Sequence, residues 1–505
     1  MWYYFCALLA GIATLVYWYL RNQFLFWERL KVPFVKPHWP YGSIAEFAKG
    51  KRSAGEVYAD LYRKLKSQRF GGIWNLSAPS LLVCDPELLR DVLIKNFGTW
   101  PGRGISFNED VDPLSAHMVN FTGKKWKSIR TKMSPTFSTA KLRNMHYLLL
   151  ECGNDLKNYL ESVVAGADGN VEARDMGAKF TTDVIGSCGF GIKMNSLNDE
   201  DAEFRKMGRK IFELTLRNKL IRTLQLFFPG LFKLLKIAIT SREITDFFVG
   251  ITKETFEHRE KNNIQKHDFM DLLRNLRNTD QPSKNNDDDL EYTDELLAAQ
   301  AFLFFSGGFE TSSTTIGYCL HELAVNKNVQ KRLRDEIEGA KASANGEEIS
   351  WDALKNMTYL DMVVQETLRK YPPFPILVRV SEKPYEIPRT DIVLPSGTHA
   401  IVPIYGIHND PDYFPEPEKF IPERFTEEAK SQRQAFTYLP FGGGPRLCIA
   451  QRLAEQMVKL AIFKSIENFE FSLRDESQAR VKIDPRALRF LEPENGVRLR
   501  VTRIS

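Results

Sequence analysis

The sequence predicts a mainly α-helical protein with small β-sheets, preceded by a membrane-spanning helix at its N-terminus. Three observations support this. From about residue 57 onward, long runs with helical periodicity dominate the chain. The β-like runs are few and short, for example "GGIWNL" and "GVRLRVTRI". The first twenty residues carry no charged side chain. No repeat and no clear domain boundary interrupts the helical part.

Composition excludes several classes of protein. The chain has 505 residues and a formal net charge of +5, which is too small for its length to indicate nucleic-acid binding. The six cysteines are widely separated, and no CxxC or HExxH motif occurs, so a disulfide scaffold and a thiolate zinc site are both disfavoured. A lone cysteine is then of interest as a single ligand or nucleophile.

The N-terminal segment "MWYYFCALLAGIATLVYWYL" predicts an uncleaved anchor. As a helix, twenty residues extend about 30 Å, enough to cross the hydrocarbon core of a bilayer. Aromatic residues at both ends resemble an interfacial belt, and the segment lacks the basic start and small-residue exit of a signal peptide. Basic residues follow it, so the positive-inside rule places the rest of the chain in the cytosol. A buried core helix is the alternative.

Two further segments bear on membrane contact. "KVPFVKPHWPYGS" holds three prolines and predicts a semi-rigid strut between anchor and body. "KLIRTLQLFFPGLFKLLKIA", residues 219–238, predicts two short helices separated at Pro229-Gly230. It is either ordinary core or a second contact that dips into the membrane surface. The acidic run 278–295 predicts an exposed loop.

The run "LLAAQAFLFFSGGFETSSTTIGYCLHELA" predicts one long buried helix with an unusual centre. Gly307 and Gly308 lie in mid-helix, where each costs up to about 1 kcal/mol relative to alanine. Glu310 and Thr311 place an acid and a hydroxyl in an apolar stretch. Small residues make room for a bound object, and a hydroxyl can compete for a helical hydrogen bond. Close helix packing, with Glu310 paired to a partner, is the alternative.

Three weaker motifs accompany this helix. Glu366 and Arg369 are three residues apart on one helix and can form an ion pair, with Arg424 of "PERF" as a third partner. Trp126 and Arg130, four residues apart, suit a planar ligand that bears a carboxylate. Read alone, each pattern is also typical of an ordinary amphipathic helix.

The stretch "FGGGPRLCIAQRLAEQ", residues 441–456, places Cys448 on a loop of glycines that leads into a helix. Glycine lets the backbone turn sharply and approach another object closely. From these residues alone the object could be a strand, a phosphate or a flat cofactor.

The order of the motifs resembles the cytochrome P450 family. WxxxR at 126–130, GGxET at 307–311, ExxR at 366–369, PERF at 422–425 and FGxGPRxC at 441–448 follow one another as in that family, over roughly residues 30–503. "DPLSAH" and "FFSGGFETSS" resemble its insect microsomal, family 6-like, detoxification-type branch. The resemblance implies a helical prism with haem between the long central helix and the cysteine loop.

The resemblance also implies roles for single residues. Cys448 is the thiolate ligand of the haem iron, and backbone amides of its loop hydrogen-bond the sulfur. Phe441 packs under the ring. The residues implied to hold the propionates are Arg446, Trp126, Arg130 and Arg379, with Arg103 as a weaker candidate.

The same resemblance assigns the residues above and behind the haem. Gly308 opens the oxygen pocket, and Glu310 with Thr311 delivers protons. Glu366, Arg369 and Arg424 form a structural triad that braces the cysteine loop. The family usually has glycine where this chain has Ala450, which puts local geometry in doubt if that position requires a positive φ.

The implied function is that of a haem-thiolate monooxygenase, which inserts one oxygen atom from O2 into lipophilic substrates such as insecticides, plant toxins, endogenous lipids or hormones. The chain has no dinucleotide or flavin motif, so electrons from NADPH must come through a separate reductase, with cytochrome b5 as a further donor. The expected location is the endoplasmic reticulum membrane, with the catalytic domain on the cytosolic face. The expected division is anchor 1–20, linker 21–42 and catalytic domain 43–505.

Three other functions stay open: a narrow biosynthetic hydroxylase, a thiolate-haem isomerase or dehydratase, and a haem sensor without catalysis. The pair Glu310-Thr311 disfavours the last two, because neither needs a proton path. Aromatic residues predict a pocket for flat apolar substrates without naming one. These residues are Phe107, Phe121, Phe302, Phe305 and Phe374.

Overall fold

A computed structural model describes residues 2–166, 168–199, 201–213, 215–266, 268–279 and 290–504. Most of the predicted acidic loop, residues 280–289, lies outside the described residues. The helices in the described ranges are α1 Trp2–Phe24, α2 Phe26–Arg29, α3 Ala45–Ala48, α4 Ala54–Leu65, α5 Pro86–Arg90, α6 Gly123–Met133, α7 Thr139–Asn144, α8 His146–Ala165, α9 Ala173–Ile185, α10 Glu203–Phe212, α11 Leu216–Phe227, α12 Pro229–Leu234, α13 Arg242–Lys261, α14 Phe269–Thr279, α15 Asp294–Val325, α16 Lys327–Ser343, α17 Trp351–Asn356, α18 Thr358–Lys370, α19 Ile404–His408, α20 Glu427–Gln432 and α21 Gln451–Ile466.

The β-structure is minor, as the sequence predicts. The strands in the described ranges are β1 Phe70–Asn75, β2 Ala78–Val83, β3 Asn170–Glu172, β4 Leu377–Val380, β5 Tyr385–Glu386, β6 Val393–Leu394, β7 His399–Val402, β8 Phe469–Leu473 and β9 Arg498–Arg503. They form a four-stranded sheet in the order β1-β2-β7-β4, a three-stranded sheet β3-β9-β8 and the pair β5-β6. In the first sheet only β2 and β7 are parallel.

Helix α1 is long and apolar enough to cross a membrane, and none of its residues is buried against the protein. It extends to Phe24, four residues beyond the predicted anchor, and its last turn is the polar stretch Arg21, Asn22 and Gln23. Its last turn contacts the body: the indole N–H of Trp74 donates to the carbonyl of Gln23 at 3.0 Å, and Phe24 meets the Trp74 ring edge-on. The helix is therefore free along most of its length and attached at its C-terminal end.

The predicted strut is packed against the protein instead of standing apart from it. Trp27 is fully buried and donates to the carbonyl of Ile73 at 3.0 Å. Val35 N and Gly72 N each bond to the opposite segment, so residues 33–35 run beside β1. Gly72 is required here, since a Cβ on it would meet the Trp27 ring at 2.3 Å. The sequence pattern missed this contact because prolines hide an edge-strand pairing.

Two hydrophobic cores hold the body together. The smaller joins α4 to the four-stranded sheet. The larger surrounds α15, whose central residues are buried from Leu296 to Ala324 with few interruptions. Thr293 caps α15 by accepting from Leu296 N at 3.2 Å. The interruptions lie at the centre, around Gly307 and Thr311. This otherwise buried helix is therefore open at the residues that the sequence singled out.

Helices α11 and α12 confirm the break at Pro229, which begins α12. Their apolar side chains are not ordinary core. Leu220, Leu231 and Leu234 are 61%, 46% and 78% exposed, whereas Phe232 is fully buried. Because proteins rarely expose a contiguous apolar patch of this kind to water, the surface has the character of a contact site.

Candidate functional site

The site centres on the turn that carries Cys448. The turn is closed by a hydrogen bond from Cys448 N to Phe441 O, at 3.1 Å. Gly442 and Gly444 have φ of +80° and +69°, which L-residues rarely adopt. A Cβ on Gly444 would also meet the carbonyl oxygen of Leu93 at 2.0 Å. The glycines are thus required by backbone conformation and by close approach, and the approached object on this side is protein.

The thiol of Cys448 faces an internal space. The Cys448 side chain has accessible surface and does not pack tightly against other side chains. Burial nevertheless raises the pKa of the thiol, so protein encloses the space that the thiol faces. The backbone N–H of Ala450 bonds to the sulfur and, with Arg103 and Arg130, acts to lower that pKa. Such a donor set stabilises a thiolate. Ala450 has φ −96°, so alanine fits this position without backbone strain.

Helix α15 supplies the next group of candidate site residues. The hydroxyl of Thr311 donates to the carbonyl of Gly307 at 2.7 Å. A Cβ on Gly307 would meet nothing within 4 Å, whereas one on Gly308 would meet Ile185 Cδ1 at 2.9 Å. The sequence assigned the opening to Gly308, but Gly307 borders the open space. The reason is helical spacing, because residues four apart share a face and Gly307 lies on the face of Thr311.

Glu310 is turned away from Thr311. It is buried, forms an ion pair with Arg174 of α9 and accepts from Thr314 Oγ1 at 3.2 Å. Arg174 also bonds to Glu492 at 3.1 Å, and burial raises the pKa of Glu492 to about 7. Successive helical residues point about 100° apart, so the carboxylate cannot share the face of the neighbouring hydroxyl. The structure therefore places Glu310 in a charged chain that leads away from the cavity.

Four arginines approach the cysteine turn from four segments. Arg446 donates to the carbonyls of Met118 and Phe121 at 3.2 and 2.6 Å, and its guanidinium lies 4.4 Å from the Trp126 ring centroid. Arg103 donates to Arg446 O at 3.2 Å. Arg379, on β4, is almost fully buried and donates to Val378 O. Arg130 lies on α6 with Trp126.

None of these four guanidinium groups has an acidic partner at ion-pair distance in the described ranges. Burial, together with the charge of Arg103, lowers the pKa of Arg379 to about 9. Burial also lowers the pKa of Arg446 to about 9, reinforced by Arg103 and Arg379. The Nε atoms of Arg379 and Arg446 have no hydrogen-bond partner. The cavity wall thus carries unbalanced positive charge suited to a ligand with two carboxylates.

These observations fit haem, which the sequence resemblance implies. Haem is flat, carries two propionates and takes one axial thiolate in this class of site. The structure supplies a cavity-facing thiol at Cys448, open space beside Gly307 and a cluster of unpaired arginines. Phe441 is half-buried beside the cysteine turn, which is consistent with packing on a ring.

Behind the cysteine turn, Glu366 and Arg369 form a fully buried two-pronged pair, with N–O distances of 2.7 and 2.9 Å. Arg369 further donates to the carbonyls of His408 and Pro417, both at 2.9 Å. Arg424 approaches Glu366 at 3.4 Å. The structure brings the three predicted residues together.

His408 links this cluster to the cysteine turn, a connection that the sequence did not predict. Its Nδ1 bonds to Arg369 O at 3.2 Å, and its Nε2 accepts from Leu439 N at 2.8 Å. Burial lowers the pKa of His408 to about 3, and the Arg369 charge acts in the same direction. The neutral ring can accept this hydrogen bond. A lone histidine 31 residues before its partner gives no local signal.

The five predicted pocket phenylalanines lie in different surroundings. Phe107 and Phe121 meet edge-on at 5.9 Å. Phe302 and Phe305 both pack against Phe248 of α13, at 5.2 and 5.3 Å.

Phe374, 40% exposed, lies 4.9 Å from Phe490 in the loop between β8 and β9. Phe490 also lies 6.0 Å from Phe212, at the end of α10. The sequence missed Phe490, although an aromatic residue in the polar run "RALRFLEPE" was a usable signal.

Comparison with known proteins gives a consistent result. The family model for cytochrome P450 matches residues 32–501. The chain is 40% identical over 507 residues to cytochrome P450 6A1 of Musca domestica, covering 98% of this chain and 97% of that protein. It is 37% identical to the probable cytochrome P450 6a14 of Drosophila melanogaster, covering 99% of each. It is 39% identical to cytochrome P450 6k1 of Blattella germanica, covering 92% and 91%.

Proposed function

Because this chain belongs to the cytochrome P450 family and is a haem monooxygenase, we propose that it oxidises lipophilic xenobiotics in the endoplasmic reticulum membrane, drawing electrons from NADPH through a separate reductase. The observation that carries the proposal is the Cys448 turn, whose thiol has accessible surface yet is enclosed by protein. Haem supplies the activation of dioxygen. The chain supplies the axial thiolate, the charge that holds the cofactor and the control of protons and water.

The arginines and the cysteine turn would hold the cofactor. Arg446, Arg379, Arg130 and Arg103 would pair with the propionates, which would relieve their mutual repulsion. Cys448 would bind the iron as a thiolate, stabilised by the N–H of Ala450. Glu366, Arg369 and Arg424 would keep the turn in place through His408.

Thr311 would control protons at the cavity wall. Its hydroxyl already bonds to Gly307 O, and it can hold a water toward the open space beside that glycine. Glu310 cannot reach the same space directly, so we assign it to a relay with Arg174 and Glu492. A carboxyl whose pKa lies near 7, as in Glu492, exchanges protons readily at neutral pH.

Surface features support the proposed location and partners. Helix α1, residues 2–24, would span the membrane. Residues 21–42, which begin with the last turn of that helix, would join it to the catalytic domain 43–505. The exposed leucines of α11 and α12 would form a second membrane contact. Lys124 and Lys127, exposed on α6 beside the arginine cluster, would meet an acidic surface of the reductase or of cytochrome b5.

Replacement of Thr311 by valine tests the proposal, because valine keeps the volume and removes the hydroxyl. With purified reductase, NADPH should still be consumed, product per NADPH should fall and hydrogen peroxide should rise. The wild-type enzyme should require NADPH for product formation, unlike an isomerase, and should form product, unlike a sensor. Unchanged coupling in the valine variant on a good substrate would show that Thr311 has no role in proton control.

A further inference from the structure

Arg489 lies where three segments of the cavity wall meet. It belongs to the loop between β8 and β9, and its Nη2 donates to Gln225 Oε1 of α11 at 3.1 Å. Gln225 in turn donates to the carbonyl of Ser106 at 2.6 Å. The guanidinium is therefore held between the loop, α11 and the segment that precedes α6.

This arginine faces the interior. The side chain is exposed, yet burial lowers the pKa of Arg489 to about 10, the same combination that marks the thiol of Cys448. His117 is influenced by both Arg103 and Arg489. Burial is the main cause that lowers its pKa to about 4, and the charges of these two arginines lower it as well. Arg103 in turn acts on Cys448. The hydrogen bonds give the same connection: the segment that holds Arg103, which donates to Arg446 O of the cysteine turn, also holds Ser106, whose carbonyl accepts from Gln225 beside Arg489.

The charge at this end is unbalanced. No described acidic side chain forms an ion pair with Arg489 or with the neighbouring Arg222, whose Nη2 donates to Ile211 O at 2.8 Å. Burial is the larger cause that lowers the pKa of Arg489, and the positive charge of Arg222 is the smaller one. Glu492 acts on Arg222, but it is already bonded to Arg174. Neutral His117, whose Nδ1 has no partner, adds no negative charge.

An aromatic wall runs beside these arginines. Phe490, next to Arg489 in sequence, contacts Phe374 at 4.9 Å and Phe212 at 6.0 Å. A ligand that lies along this wall would have its apolar body against phenylalanine and one end against the two guanidinium groups.

From this arrangement we propose that Arg489 and Arg222 bind the carboxylate of an amphipathic substrate whose apolar body lies along Phe490 and Phe374. Arginine is suited to this role because its fork of donors matches a carboxylate in two-point contact. The inference rests on the proposed monooxygenase function and narrows its substrate class. Aliphatic and aromatic carboxylic acids share the recognised group, so both belong in the test.

The test measures binding to the full-length haem-loaded protein through the substrate-induced shift of its absorption spectrum at neutral pH. The probes are dodecanoate and 3-phenoxybenzoate, each compared with its own methyl ester. Wild-type protein should bind at least one acid about tenfold more tightly than its ester, since a hydrogen bond to a charged group contributes about that factor. Which acid shows the preference separates aliphatic from aromatic substrates.

Arg489→Gln should reduce the ratio of acid to ester affinity to near one. Arg222→Gln should lower the same ratio, and it serves as the second variant if the first loses haem. Arg242→Gln is the matched control, because Arg242 is 93% exposed at a helix surface, and its ratio should equal that of the wild type. Equal affinity for both acids and their esters in the wild type, or a ratio that both cavity variants leave unchanged, overturns the inference.

Turnover separates this result from failure of the proposed function. Wild-type protein with reductase and NADPH should oxidise the methyl esters as well as the acids, because the chemistry does not need the carboxylate. Oxidation of esters without any preference for acids would reject the carboxylate site and leave the monooxygenase intact. A preference for acids in binding, with no NADPH-dependent product from any probe, would support the site and reject the proposed function.

Discussion

Replacement of Arg369 by alanine should cost a large part of the stability of the catalytic domain. The side chain is fully buried and makes two hydrogen bonds to Glu366, with further bonds to carbonyls of His408, Pro417 and Lys419. Removal of one partner of a buried pair costs about 3–5 kcal/mol, because the remaining charge is left without compensation. Typical domains are stable by only about 5–15 kcal/mol. In a domain this large, with an unfolding entropy of about 2.1 cal/mol/K per residue, the loss corresponds to roughly 3–5 °C in melting temperature.

The assay is thermal loss of the red-shifted band of the reduced carbon monoxide complex, together with haem content per chain. Arg389→Ala is the matched control: this arginine pairs with Glu87 at the surface, where both side chains are more than half exposed, and such pairs contribute at most about 1 kcal/mol. Arg369→Lys keeps the charge without the fork and should fall between the two. If Arg369→Ala melts with the control and retains full haem content, the buried cluster does not brace the cysteine turn.

Three further predictions follow from the cysteine turn and its support. Replacement of Cys448 by serine should abolish the red-shifted carbon monoxide band, and its persistence would identify another iron ligand. Gly444→Ala should reduce haem content severely because a Cβ there would lie 2.0 Å from a backbone oxygen, whereas Gly339→Ala, with nothing within 4 Å, should be harmless; equal haem content in the two would contradict the packing. The folded-state pKa of His408, about 3, lies below its ordinary value, so stability should fall as pH drops from about 6.5 towards 3, by up to about 1.4 kcal/mol per pH unit. His408→Gln should flatten that slope in acid unfolding curves, and an unchanged slope would exclude the histidine as its cause.

The parts of the site that are local in sequence were predictable. Glu366 and Arg369 are three residues apart on a helix, so their pairing follows from helical spacing. The run of glycines before Cys448 predicts a close approach of the backbone to another object. The fold class, with one apolar helix ahead of a helical body, followed equally from periodicity and is confirmed by the family match.

The parts that the sequence did not specify depend on contacts between distant segments. The ion pair of Glu310 with Arg174 spans 136 residues, and no spacing rule reveals it. The choice between Gly307 and Gly308 as the open position depends on where Ile185 of α9 packs. The sequence did not predict that the strut packs on the body, because its prolines lack donors, yet Val35 and Gly72 supply the amides that join it to β1. Long-range packing determines the structure in each of these cases, and local patterns in a single sequence do not reveal such packing.

The attachment of α1 to the body has a consequence for how electrons arrive. Gln23 in the last turn of α1 and Trp27 just after the helix both bond to β1, so only a short connection separates the helix from the catalytic domain. With α1 in a bilayer, rotation of the domain relative to the helix is restricted, so the domain presents a constant side to the membrane plane. If a reductase in the same bilayer supplies the electrons, as proposed above, encounters become two-dimensional, and the number of reductase molecules per unit of membrane area sets their frequency. Dilution of the lipid phase should therefore slow turnover even when the bulk concentrations of both proteins stay the same.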